Sequence, residues 1–248
     1  MKQTRLMMGM PITLEVVDPG ATEELLASIF AYFQSVDDRF STYKEQSEIS
    51  LINRHELSLD RSSPDMQNVL ALAEEARLKT NGYFDIQRDG KIDPSGLVKG
   101  WAIFNAAEEI RRNGFKNYYV EAGGDFQVAG KNSRGQDWRV GIRSPYNLHD
   151  IVKVLAISER GVATSGTYIR GQHIYNPKAP GDSLTEVVSL TVIGPEILTA
   201  DSYATAAFAM GKEGIAFIED LPGYEGYQID KDRRAIFTSG FTRYVLHE

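Results

Sequence analysis

The chain has 248 residues, a formal net charge of −7 and no cysteine. The lack of cysteine excludes disulfides, thiolate catalysis and iron–sulfur or thiolate zinc centres. The longest basic runs are arginine pairs at 111–112 and 233–234, so the clustered basic surface of a nucleic-acid-binding protein is not predicted. The sequence shows neither an apolar run of about 18 residues nor a signal-peptide pattern. We therefore expect a cytoplasmic protein, or an exported one whose leader has been trimmed.

The first half of the chain is predicted to be mostly helical. Apolar residues recur at helical spacing in its helices, and they alternate with polar residues in its one strand. Residues 40–63 are polar and irregular, and the glycine- and aspartate-rich residues 82–97 predict a loop. The predicted elements are a strand at 12–17 and helices at 22–39, 64–80 and 98–112.

Strand patterns dominate the second half. Strands are predicted at 117–121, 138–142, 152–158, 186–193, 225–229 and 242–246, and helices at 197–210 and 213–220. Strands and helices occur in clusters rather than in strict alternation, which predicts an α+β fold. No low-complexity linker or internal repeat interrupts the sequence, so we expect one compact domain over residues 1–248.

Asp201 and Thr205 are four residues apart in a helix-forming segment, so both oxygens lie on one face. A carboxylate with a hydroxyl suits Mg²⁺, which also keeps waters and binds substrate phosphates. Small neighbouring residues would let a ligand approach. The same pair is also compatible with a carboxylate near a helix start and a threonine bonded to the backbone.

Three glycine-bearing segments are candidates for contact with phosphate. Residues 96–100 open a helix, whose N-terminus favours anions, although they match neither a Walker loop nor a dinucleotide fingerprint. Residues 122–125 follow a strand, and residues 161–166 end one with two hydroxyls and a glycine. Each segment is equally compatible with an ordinary turn or strand end.

His173 is the histidine best placed to accept a proton from a hydroxyl nucleophile, although a lone histidine is more often structural. The polar segment 41–53 could line a nucleotide pocket or supply caps and turns. No GxSxG elbow or HExxH motif is present.

The order of these motifs along the chain is more specific than any one of them. The series resembles the ApbE family of FAD:protein FMN transferases and covers nearly the whole chain. The motifs are Met8–Pro11, Phe40–Tyr43, Ser47–Ser50, Asn53, Gly82–Asp85, Asp93, Gly96–Ala102, Ala122–Asp125, Ala163–Tyr168, His173, Pro177, Ala200–Asp201 and Thr205–Ala206. The chain departs from the family pattern at Asn176, where aspartate often precedes the proline.

The resemblance implies the family's T-fold-related α+β architecture, with mixed or antiparallel sheets, flanking helices and FAD in a cleft. Asp201, Thr205 and the backbone carbonyl of Val98 would bind Mg²⁺, and His173 would activate the acceptor hydroxyl. Asn53 matches an asparagine that influences whether bound FAD is hydrolysed. The residues expected to contact FAD are Met8, Ser41, Thr42, Tyr43, Glu48, Asn53, Asp85, Gly96, Lys99, Gly123, Gly124, Asp125, Thr164, Ser165 and Gly166.

The activity that the resemblance implies is Mg²⁺-dependent transfer of FMN from FAD to a threonine or serine hydroxyl of an acceptor protein, with release of AMP. The acceptor would be a subunit or domain of a redox or ion-pumping system. One alternative is an Mg²⁺-dependent FAD pyrophosphatase, in which water attacks and free FMN results. Another is a FAD-binding protein without catalysis. The oligomeric state and the acceptor's identity stay open.

Overall fold

The structure is a computed structural model, and it describes residues 1–147, 149–167, 174–181 and 183–246. Its helices are α1 (Glu23–Phe40), α2 (Glu48–Asn53), α3 (Pro64–Lys79), α4 (Ser95–Arg112), α5 (Ile197–Ala209) and α6 (Gly214–Glu219). Its strands are β1 (Lys2–Met7), β2 (Met10–Val16), β3 (Gln87–Arg88), β4 (Lys91–Ile92), β5 (Tyr118–Ala122), β6 (Asp125–Ala129), β7 (Trp138–Arg143), β8 (Ile151–Ile157), β9 (Arg160–Gly166), β10 (Val187–Gly194), β11 (Glu225–Asp230) and β12 (Ala235–Phe237).

Eight strands form one antiparallel sheet in the order β1-β2-β5-β6-β9-β10-β11-β12. β3 pairs with β4, and β7 pairs with β8 in a separate ribbon. This arrangement confirms the predicted α+β class. None of the described helices is both long enough and apolar enough to cross a lipid bilayer.

The sheet is covered on both faces, and alternate residues of its strands face two different cores. Ala163 and Val192 belong to the larger core, which is filled by side chains of α1, α3, α4 and α5. Their neighbours Val162 and Ile193 belong to the smaller core, beneath the β7–β8 ribbon. All five residues of β6 are buried, because this strand lies between the two layers.

Several boundaries differ from the sequence prediction. α4 begins at Ser95, so residues 96 and 97 are helical rather than part of a loop. The hydroxyl-bearing segment 161–166 is itself a strand, β9. A 3-10 helix, Phe241–Tyr244, occupies most of the predicted C-terminal strand. β1 was missed because its exposed edge residues do not alternate regularly between apolar and polar.

Candidate active site

The residues of highest chemical interest converge on one cleft, which encloses about 1060 Å³ including open solvent. The N-terminal part of α4, the middle of α5, the end of β9 and the β5–β6 turn meet there. Nine of the residues predicted from the sequence line it: Asp85, Gly96, Lys99, Gly123, Thr164, Ser165, Gly166, Asp201 and Thr205. The predicted spacing of Asp201 and Thr205 therefore does place both on the same wall.

The close crossing of α4 and α5 fixes the position of Asp201. Its Oδ2 accepts a hydrogen bond of 2.8 Å from the backbone N–H of Gly100, and the residue is only 3% exposed. A Cβ at residue 100 would lie 2.7 Å from the Asp201 Cβ. Only glycine therefore lets the two helices approach closely enough for this hydrogen bond.

Lys99 lies between two buried carboxylates. Its Nζ forms an ion pair with Asp125 and lies 3.6 Å from Asp201 Oδ1. Asp125 also accepts a hydrogen bond of 2.9 Å from the backbone N–H of Thr164, through Oδ1. Asp125 thus ties α4 to β9, and one ammonium offsets two carboxylates, which leaves this wall of the cleft acidic.

Hydroxyl groups complete the wall beside Asp201. Ser165 Oγ lies 3.4 Å from Thr205 Oγ1, and Thr164 Oγ1 lies 2.9 Å from Thr191 Oγ1. Gly96 lies close to Thr205, because a Cβ at residue 96 would be 3.5 Å from its Cγ2. The backbone of α4 at Gly96 therefore lies next to the Thr205 side chain of α5 in the cleft.

These donors fit Mg²⁺. The described ranges contain no group of three or more histidine, cysteine, aspartate or glutamate side chains arranged to hold a metal. The available set is instead one carboxylate, from Asp201, with the hydroxyls of Thr205 and Ser165. Magnesium suits such a set, because it prefers oxygen ligands and takes several from water and substrate phosphates. The predicted ligand Val98 is the fourth residue of α4, and the helical pattern directs its carbonyl toward the N–H of Ala102.

One glycine turn contributes to the rim of the cleft. Gly123 and Gly124 have φ angles of +61° and +98° and join β5 to β6, as tight hairpin turns require. The N–H of Gly124 donates to Glu121 Oε1 at 2.7 Å. Met8, with φ +52°, begins the turn between β1 and β2 and packs against the larger core, outside the cleft lining.

The predicted residues of the 41–53 segment lie away from the cleft lining. Tyr43 is 97% exposed, and Ser41 and Thr42 follow the end of α1. Glu48 accepts hydrogen bonds from the backbone N–H and the hydroxyl of Ser63, the residue that caps the N-terminus of α3.

Asn53 forms a two-way hydrogen bond with β4. Its Nδ2 donates to the Ile92 carbonyl at 2.9 Å, and its Oδ1 accepts from the Ile92 N–H at 2.8 Å. Residue 93, the next residue after β4, is an aspartate that lines the cleft. The Asn53 side chain therefore fixes the backbone immediately before a cleft residue. His173 lies outside the described residues.

Sequence reasoning missed one side of the cleft, formed by Tyr175 and its neighbours. The Tyr175 hydroxyl donates to the carbonyl oxygens of Asp85, at 3.1 Å, and Gln87, at 2.9 Å. The guanidinium of Arg88 lies 4.7 Å from the centre of its ring. Burial, with the nearby Asp85 carboxylate, raises the pKa of Tyr175 to about 12, so the phenol is neutral near pH 7. No local pattern marks Tyr175, because its role depends on contact with a distant segment.

Comparison with known proteins identifies the family of this chain. A sequence model described as the ApbE family matches residues 8–89 and 86–228. This chain belongs to the ApbE family. A relative from Vibrio cholerae, named FAD:protein FMN transferase, is 26% identical over 265 aligned residues, which cover 82% of this chain and 79% of the relative. An Escherichia coli K12 protein of the same name is 30% identical over 150 residues, or 57% of this chain and 43% of that one.

Solved structures of the ApbE family share the fold. The flavin transferase ApbE from Vibrio cholerae superposes with a TM-score of 0.86 at 24% identity, over 98% of each chain. The ApbE protein from Thermotoga maritima gives 0.88 at 21% identity, over 100% of this chain and 99% of that one. At these identities the structural likeness establishes the fold, and the sequence match establishes the family.

Proposed function

We propose that this ApbE-family chain is a magnesium-dependent FAD:protein FMN transferase. The observation that carries the proposal is the acidic wall at the α4–α5 crossing, where Lys99 lies between Asp125 and Asp201, in a cleft that Asp201 and Thr205 both line. The names of the relatives support the flavin substrate and the protein acceptor. The dependence on magnesium rests on the donor chemistry of the site.

The lining of the cleft offers surface for both chemical parts of FAD, the ring systems and the pyrophosphate. Tyr83, Phe84 and Tyr175 give aromatic and apolar surface for a ring system. Ser95 and Gly96 lie at the N-terminus of α4, where the helix dipole and backbone N–H groups favour phosphate. We expect the pyrophosphate to lie between this helix end and the hydroxyls of β9.

Asp201 and Thr205 would hold the magnesium ion, together with the Val98 carbonyl. When bound, the ion neutralises phosphate charge and stabilises the charge that develops during transfer. Lys99 keeps Asp201 in place from the other side and limits the repulsion between the two carboxylates and an anionic substrate. The buried hydrogen bond from Gly100 prevents the Asp201 side chain from rotating away.

In the proposed reaction, an acceptor threonine or serine hydroxyl attacks the FMN-side phosphorus of FAD. The bond from that phosphorus to the bridging oxygen breaks, and AMP leaves with this oxygen. The hydroxyl loses its proton, for which His173 is the proposed base. The product is an acceptor protein that carries FMN through a phosphoester bond.

The experiment is incubation with FAD and Mg²⁺, with and without a threonine-bearing acceptor peptide or domain, followed by mass spectrometry. FMN added to the acceptor, with AMP released, is the expected result. Free FMN and AMP alone would instead identify a pyrophosphatase. FAD that binds and stays intact with every acceptor would contradict both activities and favour a FAD-binding protein.

A further inference from the structure

The β7–β8 ribbon has one covered edge and one open edge. The edge of β8 is covered by the C-terminal segment, since Val245 bridges to Leu155 and the Leu246 N–H donates to the Val154 carbonyl at 2.9 Å. Among the described residues, β7 pairs with β8 alone. Its other edge therefore offers backbone N–H and C=O groups to an incoming strand.

A groove of about 1220 Å³, open solvent included, follows this open edge. Residues 139–143 all border it, although they alternate between buried and exposed positions. A groove that is bordered by residues of both faces must run along the strand's edge. Thr13, Tyr119 and Glu121 of the main sheet form the opposite wall.

The groove adjoins the proposed FAD cleft. Gly123 and Thr164 line both spaces. Asp125 borders the groove, and its carboxylate also binds Lys99 of the cleft. A chain that occupies the groove would therefore have residues within reach of the cleft, at the turn formed by Gly123.

The groove carries two arginines without ion-pair partners among the described residues. Arg139 and Arg143 are exposed, and neither forms an ion pair with any described residue. On the opposite wall, Asp125 is paired with Lys99, and Glu121 accepts a hydrogen bond from the neutral Gly124 N–H and keeps its charge. The two arginines thus outnumber the one carboxylate of the groove that forms no ion pair with a described residue. In a chain of net charge −7, two unpaired arginines on one strand give a local preference for an acidic partner.

We propose that the open edge of β7 is the docking site of the acceptor, which adds an extended acidic segment as a third strand of the ribbon. The inference rests on the proposed transferase function, which requires a polypeptide to bring a hydroxyl to the cleft. Backbone hydrogen bonds to β7 would supply affinity, and alternate acidic side chains would meet the two arginines. The hydroxyl-bearing residue would enter the cleft beside Gly123 and Thr164.

The test uses fluorescein-labelled twelve-residue peptides with one central threonine. In the first, the flanking residues alternate glutamate with valine, and in the second, lysine replaces each glutamate. A third repeats the acidic sequence with alternate amides N-methylated, which blocks pairing along one edge. Fluorescence anisotropy with the full chain, FAD and Mg²⁺ should give at least about ten-fold tighter binding for the first peptide than for the other two.

The Arg139→Glu/Arg143→Glu double variant should lose this preference, whereas Arg134→Glu should keep it. Arg134 is exposed on the turn before β7 and does not border the groove. Its replacement by glutamate therefore repeats the reversal of charge at a position outside the groove. Equal affinity for the acidic and basic peptides, or an unchanged preference in the double variant, would overturn the proposal. So would self-association of the chain that the double variant abolishes, because the edge would then bind a second copy.

The same samples separate this inference from the proposed function. Mass spectrometry reports AMP and peptide-bound FMN, independently of anisotropy. Arginine-dependent binding of the acidic peptide supports the docking site even if no FMN is transferred, and that absence counts against the transferase alone. If the double variant transfers FMN with the same dependence on peptide concentration as the original chain, the transferase is supported and the docking site is overturned.

Discussion

Replacement of Gly100 by alanine tests whether the crossing of α4 and α5 determines the geometry of the cleft. The new Cβ would lie 2.7 Å from the Asp201 Cβ and 2.9 Å from the Ile197 carbonyl oxygen. Ordinary van der Waals contact begins near 3.4 Å, so the helices must separate by about 0.7 Å. Because both contacts are with α5, the movement displaces Asp201 directly.

Two opposing effects set the change in stability. Alanine is favoured over glycine inside a helix by about 1 kcal/mol, whereas overpacking of a close contact costs about 1–3 kcal/mol. We therefore expect a net loss of about 0–2 kcal/mol in the free energy of unfolding. Activity should suffer more, because a misplacement near 1 Å in a catalytic site can reduce the rate about 100-fold.

The assay compares AMP release per folded molecule with the urea midpoint. Gly130→Ala is the matched control, since its Cβ would meet the Lys116 carbonyl oxygen at 2.5 Å. Residue 130 follows β6 at the end opposite to the Gly123 turn, so this change should destabilise the fold without slowing the folded enzyme. A Gly100→Ala protein with unaltered turnover would refute the inferred geometry.

Three further substitutions test individual side chains. Asp201→Asn keeps an oxygen that can accept from the Gly100 N–H, and it should abolish Mg²⁺-dependent AMP release. Full activity would contradict the assignment of Asp201 as a metal ligand. Thr205→Val removes a hydroxyl at nearly constant shape and should weaken Mg²⁺ binding about ten-fold by calorimetry, with recovery in Thr205→Ser; equal affinity in all three proteins would contradict the assignment. Asn53→Ala leaves both polar groups of Ile92 without their partner, so we expect a loss of about 1–3 kcal/mol in urea unfolding, and an unchanged midpoint would show that water replaces the side chain.

The site predicted from the sequence and the site seen in the structure differ in a systematic way. Asp201 and Thr205 were predicted to share a helix face because a four-residue spacing on a helix has one geometric outcome, and both line the cleft. Glu48 and Asn53 were assigned to flavin contact from their polar segment and from the resemblance, and the structure places both in hydrogen bonds that organise neighbouring backbone. A polar residue that anchors a loop beneath a site and one that touches a ligand look alike in sequence.

Periodicity, motif order and local spacing were enough to predict the α+β class, the family and the shared helix face of Asp201 and Thr205. The ion pairs from Lys99 to Asp125 and Asp201, the Tyr175 side of the cleft and the open edge of β7 were decided only by the tertiary structure. Each depends on segments that are distant along the chain, such as residues 99 and 201, which meet when α4 packs on α5. Local sequence patterns do not predict such long-range contacts, because sheet order and helix packing determine them.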